Sequence, residues 1–431
     1  RGSFRYCSDG YSFGVRDSEI NPFFDARGGY EGKSAPFPQF IVVDKPLTIR
    51  GENSADSKNP TIITVANTWL KTGTQTHTGY NNGMGGLYTD SNLFVLASSD
   101  ITIKNLRFHN MIQGIEIISA GTTIEDCVWE DAGLWPLNYK IEDYSVYPNY
   151  PSYKNPVKSY LRRNQFINVP SAVHLFGSEI TITENYFEIR LNILDWPALT
   201  SSMWGIVFGG LLDYDYIPNV YKNSLCRNNL VENNVFEGDE NSWYGAFYFA
   251  GYGAPIIENK ISHNTVRNMW AMIESWGGAP VERNTITNNV AVNVGHGFLG
   301  IPYYSGYGIY LDSAHPRGCI PTRNVISGNQ FIDTLYPMTL FSGEHNQIID
   351  NDYTGTNAPG WFYWQGCVFL GGTTHGNFVS EGLFPPGTTM YEQILDLGTN
   401  AIPGSGVFNN NPELAQHLQD AHATQREMKG F

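Results

Sequence analysis

An eight-residue phrase recurs along this chain and constrains its fold more than any other feature. The phrase reads Asn, any residue, Ile or Val, two of any residue, Asn, any residue, and an apolar residue. Clear copies span 229–236, 259–266, 284–291, 324–331 and 346–353, and looser copies end at Phe166 and Phe187. Internal repeats of about 20 to 50 residues are typical of solenoids, whose repeats bury their apolar side chains by stacking on one another. The chain is therefore predicted to fold as a solenoid.

The spacing of the phrases predicts a coil of three short strands. The second Asn residues of successive phrases lie as little as 21 and 22 residues apart, and the longer intervals contain insertions. Between the phrases, a second run alternates in the manner of a strand with one buried face. These runs are Gly114–Ile117, Ala172–Leu175, Gly205–Phe208, Gly245–Tyr248, Ala271–Glu274 and Gly308–Asp312. We interpret the repeated Asn residues as turn residues that adopt left-handed conformations and hydrogen-bond along a ladder.

The phrase and the alternating runs together resemble the right-handed parallel β-helix superfamily, which includes pectate lyases, polygalacturonases, NosD-like periplasmic repeat proteins and phage tailspikes. The resemblance covers roughly residues 38–380. It implies an all-β fold: a single-stranded right-handed parallel β-helix with long loop insertions and a short C-terminal capping helix. It implies less about function, because one fold hosts many chemistries. No signature of pectate lyases, polygalacturonases or mannuronan epimerases is found in the sequence.

The chain is predicted to contain three regions. Residues 1–37 form an irregular N-terminal segment and cap, residues 38–380 the β-helix domain, and residues 381–431 a C-terminal extension. In the extension, Asn411 is a helix cap, Pro412 occupies the first helical position and Glu413 the first turn. A helix is therefore predicted over about 411–428. It either covers the open end of the solenoid or contacts a second copy in a homo-oligomer.

Charge and hydropathy exclude two classes of partner. The formal net charge is −15, so no basic surface is expected to bind nucleic acid. No apolar run approaches the roughly 20 residues that span a bilayer, so no membrane partner is predicted. A polyanionic substrate is disfavoured unless bound Ca²⁺ bridges it. The aromatic content of 14% is high for a solenoid interior and favours stacking on sugar rings instead.

The cysteines argue against a zinc site. Cys7, Cys127, Cys226, Cys319 and Cys367 are widely spaced, without a CxxC pair, so a zinc site is improbable. Those near the repeats are interpreted as small buried thiols. No cofactor is predicted, and Ca²⁺ is the one ion left open. The architecture, rather than the cysteines, favours a secreted or periplasmic location.

Two carboxylates are the main catalytic candidates. If Ile273 and Leu311 point inward, Glu274 and Asp312 point outward and are predicted to share one column. Adjacent coils would place the carboxyl groups about 5 Å apart, as in retaining glycosidases. If the stretch beginning at Gly295 forms a coil of its own, they would lie about 9–10 Å apart, near the inverting limit. Glu274 is predicted as nucleophile or base and Asp312 as acid, and solvated surface groups are the alternative.

Neighbouring loops supply the other candidates. His315 and Arg317 are predicted to position the substrate, and His315 also joins the catalytic set. Asp213, in a Tyr-rich excursion, is predicted either as a further carboxylate or, with Asp215, as a Ca²⁺ ligand. His174, near Glu116, is a weaker candidate for base or substrate contact. The predicted sugar platforms and substrate contacts are Trp276, Tyr252, Tyr310 and Trp243.

Three functions remain open at this stage. The first is a glycoside hydrolase that cleaves a neutral or weakly charged polysaccharide or oligosaccharide with two carboxylates. The second is a lyase or epimerase of uronic-acid polymers. Arg283 and Arg323 are the candidate bases for it, and bracing of the ladder is the alternative and favoured role of these two residues. The third is a non-catalytic glycan-binding or adhesion module of the tailspike kind.

Overall fold

In a computed structural model of the protein, parallel strands stack coil upon coil. Two compact units are present, the first formed by residues 1–181 and 185–202 and the second by residues 182–184 and 203–431. The structure describes residues 41–64, 94–109, 114–130, 134–139, 157–169, 171–189, 204–209, 226–239, 244–251, 255–277, 280–295, 306–312, 320–356, 366–380 and 382–402.

The strands are short, and most have three to five residues. Up to residue 202 they are β1 Ile41–Val43, β2 Thr48–Arg50, β3 Thr61–Thr64, β4 Phe94–Leu96, β5 Thr102–Lys104, β6 Leu106–His109, β7 Ile115–Ile117, β8 Thr123–Glu125, β9 Val128–Glu130, β10 Leu134–Tyr139, β11 Tyr160–Arg162, β12 Gln165–Ile167, β13 Ser171–Leu175, β14 Thr181–Thr183 and β15 Tyr186–Glu188. Beyond it they are β16 Trp204–Phe208, β17 Cys226–Arg227, β18 Leu230–Glu232, β19 Val235–Glu237, β20 Gly245–Gly251, β21 Ile256–Ile257, β22 Lys260–Ser262, β23 Thr265–Arg267, β24 Ala271–Gly277, β25 Val281–Glu282, β26 Thr285–Thr287, β27 Val290–Val292, β28 Tyr307–Leu311, β29 Val325–Ser327, β30 Gln330–Ile332, β31 Met338–Glu344, β32 Gln347–Ile349, β33 Asp352–Gly355, β34 Val368–Val379, β35 Ile394–Asp396 and β36 Thr399–Ala401.

Each unit arranges its strands in three parallel columns. In the first unit the first column is β1, β4, β7, β10 and β13, and the third is β3, β6, β9, β12 and β15. Strands β2, β5, β8 and β11 form its second column. In the second unit the columns are β16, β20, β24, β28, β31 and β34; β18, β22, β26, β29 and β32; and β19, β23, β27, β30 and β33. The predicted coil of three short strands is confirmed.

The coil interior is apolar because alternate residues of every strand point into it. In the second column, Ile261, Ile286 and Ile326 occupy the same register and are fully buried. In the third column of the first unit, Phe166 and Phe187 stack with ring centroids 4.7 Å apart and planes inclined by 7°. Because identical register positions repeat in each coil, like side chains pack on like side chains, and each coil needs its neighbours to bury its face.

Both Asn positions of the phrase form buried ladders between coils. Asn264 is representative: its Oδ1 accepts from the backbone N–H and the Nδ2 of Asn234, both at 3.0 Å. Its own Nδ2 donates to the carbonyl of Val231 and to Oδ1 of Asn289, again at 3.0 Å. The side-chain amide thus uses two donors and two acceptor sites. The predicted hydrogen-bonded ladder is confirmed.

The left-handed backbone, in contrast, belongs to the residue before the ladder Asn. His263, Arg283 and Asn288 have φ of 56°, 53° and 56°, whereas Asn264 and Asn289, which follow two of them, are not among the described residues with positive φ. Assigning the left-handed conformation to the repeated Asn itself was therefore wrong. The reason is geometric: the ladder side chain must point into the stack, so the exposed residue before it turns the corner of the coil.

Parallel pairing continues past residue 380. Strand β35 pairs with the start of β34, and β36 pairs with its end, so β34 turns a corner within its 12 residues. Between β34 and β35 lies a short helix, α1 Met390–Gln393, capped by Thr389 and Glu392 in a reciprocal capping box. The helix predicted over 411–428 lies outside the described residues. The three predicted region boundaries stay predictions.

Two further features of the described residues concern cysteines and hydrophobicity. Cys127, Cys226 and Cys367 are free and buried, and burial raises the pKa of each thiol to about 12. The interpretation of Cys127 and Cys226 as buried thiols is confirmed, while Cys7 and Cys319 lie outside the described residues. Among the described residues, no helix has the length and apolar character that crossing a membrane requires.

Candidate functional site

The first column of the second unit carries a row of side chains that face away from the coil interior. Phe247 and Ile273 are paired in register, and the ring of Phe247 contacts Phe236 of the third column with centroids 4.8 Å apart. This row therefore faces inward. Because side chains alternate along a strand, the next residues, Tyr248 on β20 and Glu274 on β24, face outward.

Glu274 lies between two tyrosines in this outward row. Its register partners are Tyr248 on one side and Tyr310 on the other. Neighbouring strands are about 4.8 Å apart, so the side chains of the row are in contact range. Tyr248, Glu274 and Tyr310 are only 6%, 2% and 1% exposed. The carboxyl group of Glu274 is thus withdrawn from water between two phenol side chains.

Glu274 and Asp312 were predicted to occupy equivalent positions on their strands, one above the other, and this was wrong. Their strands are adjacent, because β24 pairs directly with β28 and no coil intervenes between them in this column. However, the register partner of Glu274 is Tyr310, so Asp312 lies two residues further along the same face. With strands about 4.8 Å apart and a rise of about 3.3 Å per residue, the two Cα atoms are about 8 Å apart.

Asp312 is held by two hydrogen-bond donors on two strands. The phenol of Tyr310 donates to its Oδ2 at 2.9 Å, and the hydroxyl of Ser342, from β31, donates to its Oδ1 at 3.2 Å. Asp312 is 5% exposed, so neither carboxylate of the pair is a solvated surface group. Burial, followed by the negative charge of Asp312, raises the pKa of Tyr310 well above its usual value. The phenol therefore remains a donor.

Aromatic rings surround this pair of carboxylates. Tyr307 packs on Tyr310 with centroids 4.6 Å apart, and Trp204 stacks on Tyr248 at 4.9 Å. The remaining rings continue the cluster by contact, since Trp270, Tyr336, Phe341 and Phe369 each lie 5.6–6.5 Å from another member. Tyr307, Tyr336 and Phe341 are half-buried and can offer their faces to sugar rings at low cost in side-chain entropy, whereas the other rings are buried and support them.

The described strands of this face carry acidic and aromatic side chains but no permanently charged basic ones. Strands β16, β20, β24, β28, β31 and β34 contain neither Lys nor Arg. Two enclosed carboxyl groups with different surroundings can divide the roles of acid and base between them. The arrangement can therefore protonate a leaving group on one side and activate water on the other.

The other predicted site residues are placed as follows. Trp276 lies on β24 and pairs in register with Ala250. His174 lies in the first unit and is buried; its row continues through Asn138 to Glu116, which is two strands away rather than adjacent. Outside the described residues lie His315, Arg317, Asp213, Tyr252 and Trp243. Of the predicted set, Glu274, Tyr310 and Asp312 are brought together.

Several members of the site did not emerge from the sequence. Ser342 and Phe341 belong to β31, whose run Met338–Glu344 lacks the leading Gly or Ala of the other first-column runs. Its position is the signal that could have found it, because Met338 follows Phe331, the end of a phrase, by seven residues. Tyr307 directly precedes the predicted run Gly308–Asp312, so its position next to the site could have been found from the sequence.

Arg283, one of the two arginines considered as a base, has a structural role. Arg283 forms ion pairs with Glu258 at 3.0 Å and with Glu282 at 2.9 Å, and its backbone turns a corner of the coil. These contacts agree with a role in bracing the coil rather than with a role as catalytic base.

Within the described ranges, no group of three or more His, Cys, Asp or Glu side chains is arranged to hold a metal ion. The Ca²⁺ alternative at Asp213 and Asp215 lies outside those ranges and stays a prediction.

Residues 91–379 match the family model described as a right-handed β-helix region, which covers more than half of the chain. The protein belongs to this family, as the sequence resemblance implied. A search of curated proteins found no match.

Similar solved structures include three enzymes. One is the alginate lyase AlyF-OU02 in complex with G6, with 13% identity, 91% of this chain and 88% of that chain covered, and a TM-score of 0.38. Another is DFA-IIIase from Arthrobacter chlorophenolicus A6, with 11% identity, 90% of each chain covered, and a TM-score of 0.37. A third is the A-module of the mannuronan C-5 epimerase AlgE6 from Azotobacter vinelandii, with 10% identity, 91% and 98% covered, and a TM-score of 0.29. These likenesses concern the fold alone.

Proposed function

We propose that the protein is a glycoside hydrolase that cleaves a neutral polysaccharide, with Glu274 and Asp312 as its paired carboxylates. One observation carries the proposal: two carboxylates, 2% and 5% exposed, lie on adjacent strands of one outward face within a cluster of aromatic rings. Burying a carboxylate costs free energy, so charged groups are rarely enclosed unless they are paired or functional.

The hydrogen bonds favour one division of roles. Asp312 accepts from Tyr310 and Ser342, and donors on a carboxylate favour its ionised form. Asp312 therefore suits the base that takes a proton from the attacking water. Glu274 lies between Tyr248 and Tyr310 on the adjacent strand. With Asp312 as the base, Glu274 takes the other role and protonates the glycosidic oxygen. This reverses the roles that the sequence predicted.

The offset between the two residues favours inversion. Side chains that leave one face of a sheet side by side keep roughly the spacing of their Cα atoms, here about 8 Å. Inverting enzymes need about 6.5–9.5 Å between the carboxyl groups to admit water, whereas retaining enzymes need about 5–5.5 Å. The product is therefore expected to have the opposite anomeric configuration from the substrate, which NMR of the first products would report.

The charge of the face favours a neutral substrate. A lyase or epimerase of uronic acids needs a cation to neutralise the substrate carboxylate, and the described strands of the face carry no Lys or Arg. The net charge of −15 also repels polyanions at long range. The aromatic cluster offers the contacts that uncharged sugar rings use.

A polysaccharide panel tests the proposal. It contains neutral glucans, xylans, mannans and fructans, together with alginate and polygalacturonate, and is assayed with and without chelator. New reducing ends without unsaturated products are expected on a neutral polymer, whereas unsaturated products would mean elimination. Binding without any turnover would overturn the enzyme proposal and leave the binding module.

Substitutions then test the site. Glu274→Gln and Asp312→Asn are expected to lower kcat by about 100-fold or more, the usual contribution of a general acid or base. Both are isosteric, so retained glycan binding and a native circular dichroism spectrum would separate chemistry from folding. Glu232→Gln, on the second column, is the matched control and should leave turnover unchanged. Full activity in both site variants would remove Glu274 and Asp312 from the mechanism.

A further inference from the structure

Tyr310 occupies a special position between the two carboxylates. It is the register partner of Glu274 across the strand pair and stands two residues before Asp312 on its own strand. Its phenol donates to Asp312 at 2.9 Å. On the opposite oxygen, Ser342 donates from the neighbouring strand at 3.2 Å. Two donors on different strands and different oxygens fix both the position and the plane of the carboxylate.

Packing holds the phenol in this direction. The ring of Tyr310 is 1% exposed and lies 4.6 Å from Tyr307 and 6.5 Å from Phe341, measured between centroids. A ring so enclosed has little freedom to rotate away from Asp312. Close packing of the neighbouring rings thus holds the hydroxyl in place beside Asp312.

The ionisable groups around Asp312 allow the sign of a pH effect to be predicted. In the described strands these are Tyr310 and Tyr307 on β28 and Glu274 on β24, while β31 offers Ser342 and no charged group before Glu344. Burial, followed by the negative charge of Asp312, raises the pKa of Tyr310 well above its usual value. Tyr310 therefore keeps its proton across the working range and serves as a donor, not as a base.

From this geometry we infer that Tyr310, assisted by Ser342, is a positioning residue that keeps Asp312 ionised and oriented for its role as base. The inference rests on the proposed function. It assigns Tyr310 a part in the chemistry, whereas the sequence had placed it among the sugar platforms.

The pH profile of kcat/KM provides the first test. Tyr310→Phe removes only the donor, so the ionised form of Asp312 loses support and its pKa rises. The acid limb of the profile, which reports the base, should then move upward by about one pH unit, while the rate on the plateau falls about tenfold. Ser342→Ala should move the same limb by a smaller amount, because its bond is longer. Tyr160→Phe, an exposed tyrosine on β11, is the chemical control and should change neither.

A substrate-free test uses the same residues. A double-mutant cycle combines Tyr310→Phe with Asp312→Ala, which removes the acceptor, in urea unfolding at neutral pH. The two changes should be non-additive by about tenfold in the unfolding equilibrium constant, the size of a hydrogen bond to a charged group. The pair Tyr160→Phe and Asp312→Ala should be additive. This arm needs no turnover, and it also reports whether Tyr310→Phe still folds.

The outcomes separate this inference from the proposed function. An unchanged acid limb in both Tyr310→Phe and Ser342→Ala, or an additive cycle, would overturn the positioning role even if Asp312→Asn abolishes hydrolysis. Conversely, full activity of Asp312→Asn and Glu274→Gln would overturn the hydrolase, whatever coupling the cycle reports. A uniform loss of rate at every pH in Tyr310→Phe, with the acid limb unmoved, would mean that the ring only packs or stacks on substrate.

Discussion

Asn264→Ala should be among the most destabilising single substitutions in the second unit. The residue stands in the middle of a buried ladder and makes four hydrogen bonds, all at 3.0 Å, with Asn234, Val231 and Asn289. Alanine removes every one of them. It also takes a partner from the backbone N–H of Asn234 and from the carbonyl of Val231 in a place that water does not reach, because Asn264 itself is fully buried.

The magnitude follows from counting these bonds. An intramolecular hydrogen bond contributes about 1 kcal/mol net, and a buried group left without its partner costs about 1–3 kcal/mol. Four lost bonds therefore give about 4 kcal/mol. At the end of the same ladder, Asn351 accepts two bonds from Asn329 and donates one to the carbonyl of Ile326. Three lost bonds predict about 3 kcal/mol for Asn351→Ala.

Urea unfolding, followed by circular dichroism, measures both changes. The matched control is Asn233→Gly: Asn233 precedes the ladder and has a φ of 56°, a conformation that glycine adopts without strain. This control removes the same side chain at a coil corner and should shift stability by less than about 0.5 kcal/mol. If Asn264→Ala were no more destabilising than Asn233→Gly, the ladder would not stabilise the stack, and the reasoning from its hydrogen bonds would be refuted.

Three further outcomes are expected. Glu258, whose pKa is lowered by its bonds to two arginines, should stabilise the fold above its unfolded pKa near 4.5 and lose that effect as pH falls through its lower folded pKa. Glu258→Gln should therefore lower the melting temperature at pH 7 but not in strong acid, and an equal effect at both would contradict this. Cys226, with a pKa of about 12, should resist iodoacetamide at pH 8 until the protein is unfolded, as mass spectrometry of labelled peptides would report. Gly245→Ala should weaken glycan binding, because an added Cβ would collide with the buried ring of Trp204 and disturb its stacking on Tyr248; unchanged binding isotherms would mean that this stack does not support the binding surface.

The second and third columns could be predicted from the sequence because the Asn phrase contains both of them. Its first Asn precedes a second-column strand and its second Asn a third-column strand, five residues later, as in Asn229 and Asn234. Since each Asn bonds its counterpart in the next coil, equivalent phrases must align. In this part of the coil, the sequence pattern therefore predicts both the strands and their register. What the pattern did not show is that the residue before each Asn carries the left-handed turn, because almost any exposed side chain occupies that position.

The first column is different, and the candidate site lies on it. Glu274 follows Asn264 by 10 residues, whereas its register partner Tyr310 follows Asn289 by 21, so insertions of variable length separate each first-column strand from the preceding phrase. Alternation predicted that Glu274 and Asp312 share a face, but only the packing of the strands sets their register.

The two-residue offset between Glu274 and Asp312 matters chemically. Opposite one another, two carboxylates would repel each other at close range with no donor between them. In the observed register the phenol of Tyr310 stands opposite Glu274 and donates to Asp312. The offset thus gives the two acids different surroundings, which is what a pair that must be protonated at one member and ionised at the other requires.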